Sequence, residues 1–356
     1  MLNYIEYPAW ITPEVIPGLP IRWYGVMYLF AFATTYLLMR RQIKKRNINV
    51  DNDDLLNLIF WCVIGLLVGA RVFSALVYEA GDSYLTQPWL IFWPFRNGTF
   101  VGLQGMSYHG GLLGAIVAGL FWCKRNGYSP IFWADIIAIA APLGYTFGRL
   151  GNFINGELYG RVSTAPFSML FPTAARFPAS ESWVVETAES VGIPVTSPDM
   201  MVNLPRHASQ LYEAALEGVI LWLVLWFVVD RFARKPGIRL SSYIIGYGVA
   251  RFIAEYFRQP DAHIGFVVSF VENPGPIYML DSFFAFSMGQ ILSGLMVLAG
   301  IAVLLYFHFR GSGQERFAAY STPDAGKTGE SGKPSRSREA DAAARAAAAR
   351  KKRKKK

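Results

Sequence analysis

Seven apolar segments decide what this chain can become. They run at about 21–39, 55–77, 107–123, 131–148, 209–229, 240–257 and 288–309. Most approach the roughly 20 residues that an α-helix needs to cross a bilayer. Inside hydrocarbon each backbone N–H and C=O must find its partner within the segment, which favours helices. The sequence therefore predicts an all-α membrane protein, a bundle of seven transmembrane helices. The third and fourth segments are short and rich in glycine, as helices that pack closely inside a bundle would be. Charged residues make up 17% of the chain, against about 25% in soluble domains. Ten Trp and eighteen Tyr fit interfacial aromatic belts.

The loops predict an orientation. Arg40, Arg41, Lys44, Lys45 and Arg46 follow the first segment, and Lys124 and Arg125 follow the third. Arg231, Arg234, Lys235 and Arg239 lie between the fifth and sixth, and Arg310 follows the seventh. With seven spans all of these fall on one side, which the positive-inside rule makes cytoplasmic. The N-terminus is then outside and the C-terminus inside, an agreement that six or eight spans would break. The outer loops, 78–106, 149–208 and 258–287, are long, and 149–208 is long enough for a small extracytoplasmic (periplasmic) head.

The net charge of +9 belongs mostly to one end of the chain. Thirteen of the 34 Lys/Arg and five of the 25 Asp/Glu fall in residues 311–356, leaving +1 on the first 310 residues. A nucleic-acid-binding core is thereby disfavoured. The segment 311–356 reads as a basic, disordered cytoplasmic tail, either attracted to anionic lipids or a dispensable solubilising extension. Cys62 and Cys123 lie in or beside apolar segments with no metal or disulfide pattern and read as buried, inert thiols. The N-terminus shows no cleavable signal-peptide pattern.

Ionisable groups inside a bilayer are costly and each calls for a reason. In this topology Tyr24, His109, Arg149, Tyr247, Arg251, Glu255 and Arg258 all reach the outer half of the membrane. Tyr247, Arg251, Glu255 and Arg258 follow one another by 4, 4 and 3 residues, so they share a helix face, and Arg251 can pair with Glu255. That pair reads equally well as a structural ion pair. The densest constellation is Gly148-Arg149-Leu150-Gly151-Asn152-Phe153-Ile154-Asn155-Gly156-Glu157-Leu158-Tyr159-Gly160. Its glycines allow close approach to a ligand. Arg149 offers a planar donor fork suited to phosphate. Asn152 and Asn155 can bond hydroxyl or ester oxygens. The alternative is a Gly/Asn-rich turn that ends a helix. His109 can serve as a proton acceptor or as a hydrogen-bonded bundle residue. His207 reads as part of an interfacial capping segment. Arg71 and Asp135 read as structural partners of other helices.

The 148–160 motif resembles the signature of the prolipoprotein diacylglyceryl transferase family. Other segments resemble that family in the same order: Arg22-Trp23-Tyr24-Gly25, Met106-Ser107-Tyr108-His109-Gly110-Gly111, Arg206-His207-Ala208-Ser209-Gln210-Leu211-Tyr212-Glu213, Tyr247-Gly248-Val249-Ala250-Arg251 and Phe257-Arg258-Gln259-Pro260-Asp261. The resemblance covers about residues 8–310. Tyr108 stands where Phe is expected and Ala208 where Pro is expected.

The resemblance implies a bacterial inner-membrane enzyme. Such an enzyme transfers the sn-1,2-diacylglyceryl group of phosphatidylglycerol to the lipobox cysteine of prolipoproteins. A thioether forms and glycerol phosphate leaves, as the first step of lipoprotein maturation, before signal peptidase II acts. By the same resemblance His109 is the candidate base, with Arg149 and Arg251 clamping the leaving phosphate. Tyr24, Asn152, Glu157, Gly160, Tyr247 and Glu255 would shape the headgroup site, and no metal or organic cofactor is needed. His109 could instead orient the phosphate, leaving the proton to Glu157, Tyr24 or water. The rival readings are a transporter or flippase for anionic lipids and a transferase with a different acceptor. Against the transporter, no paired broken helices or repeated halves are visible.

Overall fold

The computed structural model describes residues 3–16, 18–19, 21–79, 82–96, 98–100, 102, 105–260, 265–271 and 283–310. Asp261, His263 and the tail 311–356 lie outside the described residues. The chain is mostly helical. The long helices are α1 (Trp23–Lys45), α2 (Asn52–Tyr78), α3 (Tyr108–Asn126) and α4 (Pro130–Ile154). A shorter helix, α5 (Ser182–Ser190), precedes α6 (Ser209–Phe232), α7 (Ile238–Glu255) and α8 (Met288–Arg310). Four of them, α2, α4, α6 and α8, are long and apolar enough to cross a membrane. The others of similar length, α1, α3 and α7, are less apolar along their length.

Local chemistry explains the boundaries. Ser107 caps α3, its hydroxyl accepting from Gly110 N at 3.2 Å, and Gly127, at φ 73°, ends it in the left-handed region. Ser129 caps α4, with Pro130 at its first position. Gly237 (φ 81°) opens α7, whose first amides are capped from another helix. Asp135 of α4 accepts from Gly237 N and Leu240 N, both at 2.8 Å. That gives Asp135 the structural role expected for it: a fully buried carboxylate at a helix N-terminus.

Helix α4 runs six residues beyond the 131–148 segment read from the sequence, so Arg149 and Asn152 lie on its last turns rather than in a loop. Helix α7 ends at Glu255, which puts Arg258 in the turn that follows. Helix α6 widens into π-turns at Ala214–Ile220 and Val224–Val229. Insertions of this kind re-aim the side chains beside them.

Glycine sets the closest helix crossing. A Cβ on Gly114 of α3 would collide with the Gly65 carbonyl of α2, and one on Gly69 with the Gly110 carbonyl. Backbone-to-backbone contact of this kind needs small residues and holds α2 and α3 together as a pair. Arg71 of α2 then gathers the loop that follows. Its guanidinium bonds Ile91 O at 2.6 Å, Gly105 O at 3.3 Å and Tyr84 OH at 3.2 Å, and pairs with Glu79.

Residues 155–208 form a small unit with its own apolar cluster of Val162, Ala179, Val184, Ala188, Val202 and Leu204. A parallel ladder joins Ile5–Glu6 to Met169–Leu170, and an antiparallel one joins Phe177–Pro178 to Met201–Val202. The N-terminal segment is tied to it by Tyr7, whose hydroxyl donates to the Phe153 and Ile154 carbonyls at 2.9 and 3.0 Å.

Candidate functional site

Two glutamates organise the polar network that joins α4, α6 and α7. Glu213 and Glu217 stand one turn apart on α6, at its first π-turn, and both side chains are 0% exposed. A buried carboxylate must be matched by charge or hydrogen bonds. Glu213 Oε2 lies 3.0 Å from Arg149 Nη2 of α4 and 2.7 Å from Arg251 Nη1 of α7. Its other oxygen lies 2.9 Å from Arg258 Nη1. Glu217 accepts from Tyr145 OH at 2.6 Å and lies 3.5 Å from Arg251 Nη1. Arg251 also pairs with Glu255 at 3.0 Å, and Glu255 lies 3.3 Å from Arg258 Nε. The Arg251–Glu255 pair expected from the spacing is thus present, inside a larger network.

The layering of this network matters. The carboxylates of Glu213 and Glu217 are sealed, while the arginine side chains keep 16% (Arg149), 19% (Arg251) and 18% (Arg258) of their exposure. The glutamates form a floor and the guanidiniums face outward from it. Because Arg149 and Arg251 share one carboxylate oxygen, their donor forks converge on one small region. Three guanidiniums over three buried carboxylates form a donor surface suited to a multi-oxygen anion.

The 148–160 motif continues this surface. Arg149 Nε donates to Tyr145 OH at 2.5 Å, and its Nη1 reaches Asn152 Oδ1 at 3.5 Å. Asn152 and Asn155 donate to Glu157 Oε1 at 2.9 and 3.2 Å, so the exposed Glu157 caps the chain. The turn after α4 is fixed from α6: Gln210 donates to Glu157 O at 2.7 Å and Ser209 to Leu158 O at 3.1 Å. Leu158 is held at φ 57°, a left-handed conformation that a branched side chain seldom adopts. Tyr24 of α1 bonds Tyr28 OH at 3.2 Å and packs against Gly151. The Tyr247 ring stands edge-on to Tyr145 at 5.9 Å. Ser287 donates to Glu255 at 3.1 Å, and Gly289 leaves room for that carboxylate.

Two of the residues singled out from the sequence stand apart. Gly160 donates its N–H to His207 O at 2.8 Å, and Arg206 reaches its carbonyl at 3.4 Å. A Cβ there would collide with the Phe257 carbonyl, so Gly160 permits a backbone crossing and presents no free N–H. His109 is exposed at the start of α3, with Nδ1 3.4 Å from Tyr78 OH and its ring edge-on to Tyr108. Among the described residues it touches none of the arginine network.

Sequence reading missed Glu213, Glu217 and Tyr145. The two glutamates were detectable: each is an acid inside the fifth apolar segment or at its edge, and Glu213 closes the 206–213 motif. Tyr145 carried no signal, since a tyrosine in an apolar helix is unremarkable without its partners.

Outside the long helices, burial followed by the nearby Arg161 guanidinium pushes His207 down to about 4. It is buried among the rings of Phe167, Tyr212 and Phe257. Burial likewise lowers Arg161 to about 10, though Arg161 still donates to Arg258 O at 2.8 Å. His207 is therefore a neutral packing residue.

The chain is similar to known proteins along most of its length. The family model described as prolipoprotein diacylglyceryl transferase matches residues 13–306. A phosphatidylglycerol–prolipoprotein diacylglyceryl transferase of Treponema pallidum is 49% identical over 325 residues, 86% of this chain and 97% of that protein. One of Treponema denticola is 47% identical over 329 residues, covering 87% and 96%. One of Chlorobaculum tepidum is 39% identical over 305 residues, covering 84% and 91%. With the family model spanning most of the chain and these relatives matched along nearly their whole length, the chain belongs to the prolipoprotein diacylglyceryl transferase family.

Proposed function

We propose that the chain performs the reaction for which these relatives are named, transfer of a diacylglyceryl group from phosphatidylglycerol to a prolipoprotein. The acceptor is the lipobox cysteine thiol, and the step is the first of lipoprotein maturation. The observation that carries the reading is the convergence of Arg149 and Arg251 on one buried oxygen of Glu213.

The thiol loses its proton, and the thiolate attacks the glycerol methylene carbon that carries the phosphodiester. The C–O bond breaks and glycerol phosphate leaves with the electron pair. Charge grows on the phosphate as that bond breaks. Donors already fixed by buried carboxylates need no reorganisation to meet it. Arg149 and Arg251 act as this clamp, with Arg258 beside them. Tyr24, Asn152, Glu157, Tyr247 and Glu255 bound the headgroup cavity, and Gly160 lets the surrounding turns close. His109 is the base that takes the thiol proton. It stands at the start of α3, apart from the arginines, and the acceptor cysteine would have to reach both.

The chain spans the inner membrane seven times, by α1–α4 and α6–α8, with residues 155–208 as a periplasmic head and 311–356 as a cytoplasmic tail. The supports are the polar network at one end of the bundle and the basic loops at the other.

Release of glycerol phosphate from labelled phosphatidylglycerol tests the roles. His109→Asn should abolish release while labelled lipid still binds. Normal turnover by this variant would remove the base role.

A further inference from the structure

Arg149 and Arg251 are held in different ways. Arg251 meets three carboxylates: Glu213 at 2.7 Å and Glu217 at 3.5 Å from Nη1, and Glu255 at 3.0 Å from Nη2. Arg149 meets one among the described residues, Glu213 at 3.0 Å from Nη2, and it shares that oxygen with Arg251. A planar fork held at a single nitrogen can pivot about it. The second anchor is Tyr145, one turn earlier on the same face of α4, whose hydroxyl accepts from Arg149 Nε at 2.5 Å. Arg149 Nε has only a proton to give, so the Tyr145 proton points elsewhere. It goes to Glu217 Oε2, 2.6 Å away on α6. The Glu217 side chain is 0% exposed, so its place is fixed by packing as well as by charge. A hydroxyl that donates to a carboxylate is also a stronger acceptor, which tightens its hold on Arg149.

We propose that Tyr145, braced by Glu217, is a positioning residue for the transfer step: its hydroxyl fixes the plane of Arg149 so that the Nη1 edge faces the leaving phosphate. The inference rests on the transferase reading above, with Arg149 in the clamp. Nε and Nη2 form one edge of a guanidinium. Tyr145 and Glu213 hold that edge, which leaves Nη1 with a single long contact among the described residues, Asn152 Oδ1 at 3.5 Å. A hydroxyl also orients the guanidinium without neutralising it, as a second carboxylate would. The positive charge is then kept for the phosphate as the C–O bond breaks. The competing account is packing alone, since the Tyr145 ring stands edge-on to Tyr247 at 5.9 Å and lies 5.0 Å from the Arg149 guanidinium carbon. Tyr145→Phe separates the two, because it keeps the ring and removes only the hydroxyl.

The test measures kcat and KM of the full-length protein with phosphatidylglycerol and a lipobox peptide, together with the unfolding midpoint of each variant. Tyr145→Phe should lower kcat by about tenfold to a hundredfold, the scale of a small misplacement at a reacting centre. The KM for phosphatidylglycerol should stay near the wild-type value, because the charge that the fork meets grows only in the transition state. Tyr128→Phe is the control for a merely structural loss. It removes a buried tyrosine hydroxyl bonded to Asp54 beside the start of α4, so it should lower the unfolding midpoint and leave kcat unchanged. In an Arg149→Lys background there is no Nε–Nη2 edge to hold, and adding Tyr145→Phe should lower kcat no further. A wild-type kcat in Tyr145→Phe protein, an equal fall in Tyr128→Phe, or a further fall of the same size in the Arg149→Lys background would overturn the proposal while the wild type still transfers the diacylglyceryl group. An inactive wild type would instead overturn the transferase reading, and this inference with it.

Discussion

Glu213 is the residue on which the site turns. One sealed carboxylate touches three guanidiniums from α4, α7 and the turn after α7. Removing one partner of a buried charge network leaves the others uncompensated, at a cost of about 3–5 kcal/mol. Glu213→Gln should therefore lower both the unfolding midpoint in detergent and the turnover, with Glu213→Asp intermediate. Arg149→Ala removes a donor to the leaving phosphate and should cost about 2.7–4 kcal/mol of barrier, a drop of roughly 10²–10³ in rate. Unchanged turnover in Arg149→Ala protein that is still folded would take Arg149 out of the clamp.

His207 gives a pH prediction of opposite character. Its folded value of about 4 lies below the unfolded value near 6.5. Between the two, the unfolded chain takes a proton that the folded chain refuses. The stabilisation is therefore full above the unfolded value and is lost as pH falls toward the folded one. The loss is about 3 kcal/mol. Thermal unfolding between these pH values should show it in the wild type and not in His207→Asn.

At the scale of elements, the sequence made the apolar segments legible but not their ends. Periodicity and length mark where a helix must exist, yet they say nothing of α4 running on to Ile154, because Gly148, Gly151 and Asn152 read as turn residues. Tertiary contacts override that preference: Gly151 sits against Tyr24 and Met27, and Asn152 is tied to Glu157. The π-turns of α6 left no trace in composition either. Hydropathy alone hid Glu213 and Glu217 among the apolar residues around them. The Gly-rich pattern in the third segment did announce close packing. Gly114→Val should cost about 1–3 kcal/mol by forcing α3 away from the Gly65 carbonyl. Gly294→Ala, where nothing lies within 4 Å of an added Cβ, should be neutral or mildly stabilising. Detergent unfolding midpoints compare the two directly.

For the whole molecule, the fold places a polar network at one end of an apolar bundle and basic residues at the other. The motifs near Tyr24, His109, Arg149 and Arg251 could be read as a set because the seven-span topology proposed above brings four segments to one depth. Their mutual contacts could not, since the carboxylates that join the arginines lie on a fifth. The orientation can be tested with cysteines introduced at Glu189 and at Lys124 in a Cys62→Ser/Cys123→Ser background. Glu189→Cys should be labelled from the periplasm, and Lys124→Cys only after the inner membrane is opened; the reverse pattern would invert the proposed topology.

The most direct measurement is mass spectrometry of a lipobox peptide incubated with purified protein and phosphatidylglycerol. A mass gain of one diacylglyceryl group on the cysteine is expected, absent from a Cys→Ser peptide and from Arg149→Ala protein. A folded protein that binds phosphatidylglycerol yet leaves the cysteine unmodified would contradict it.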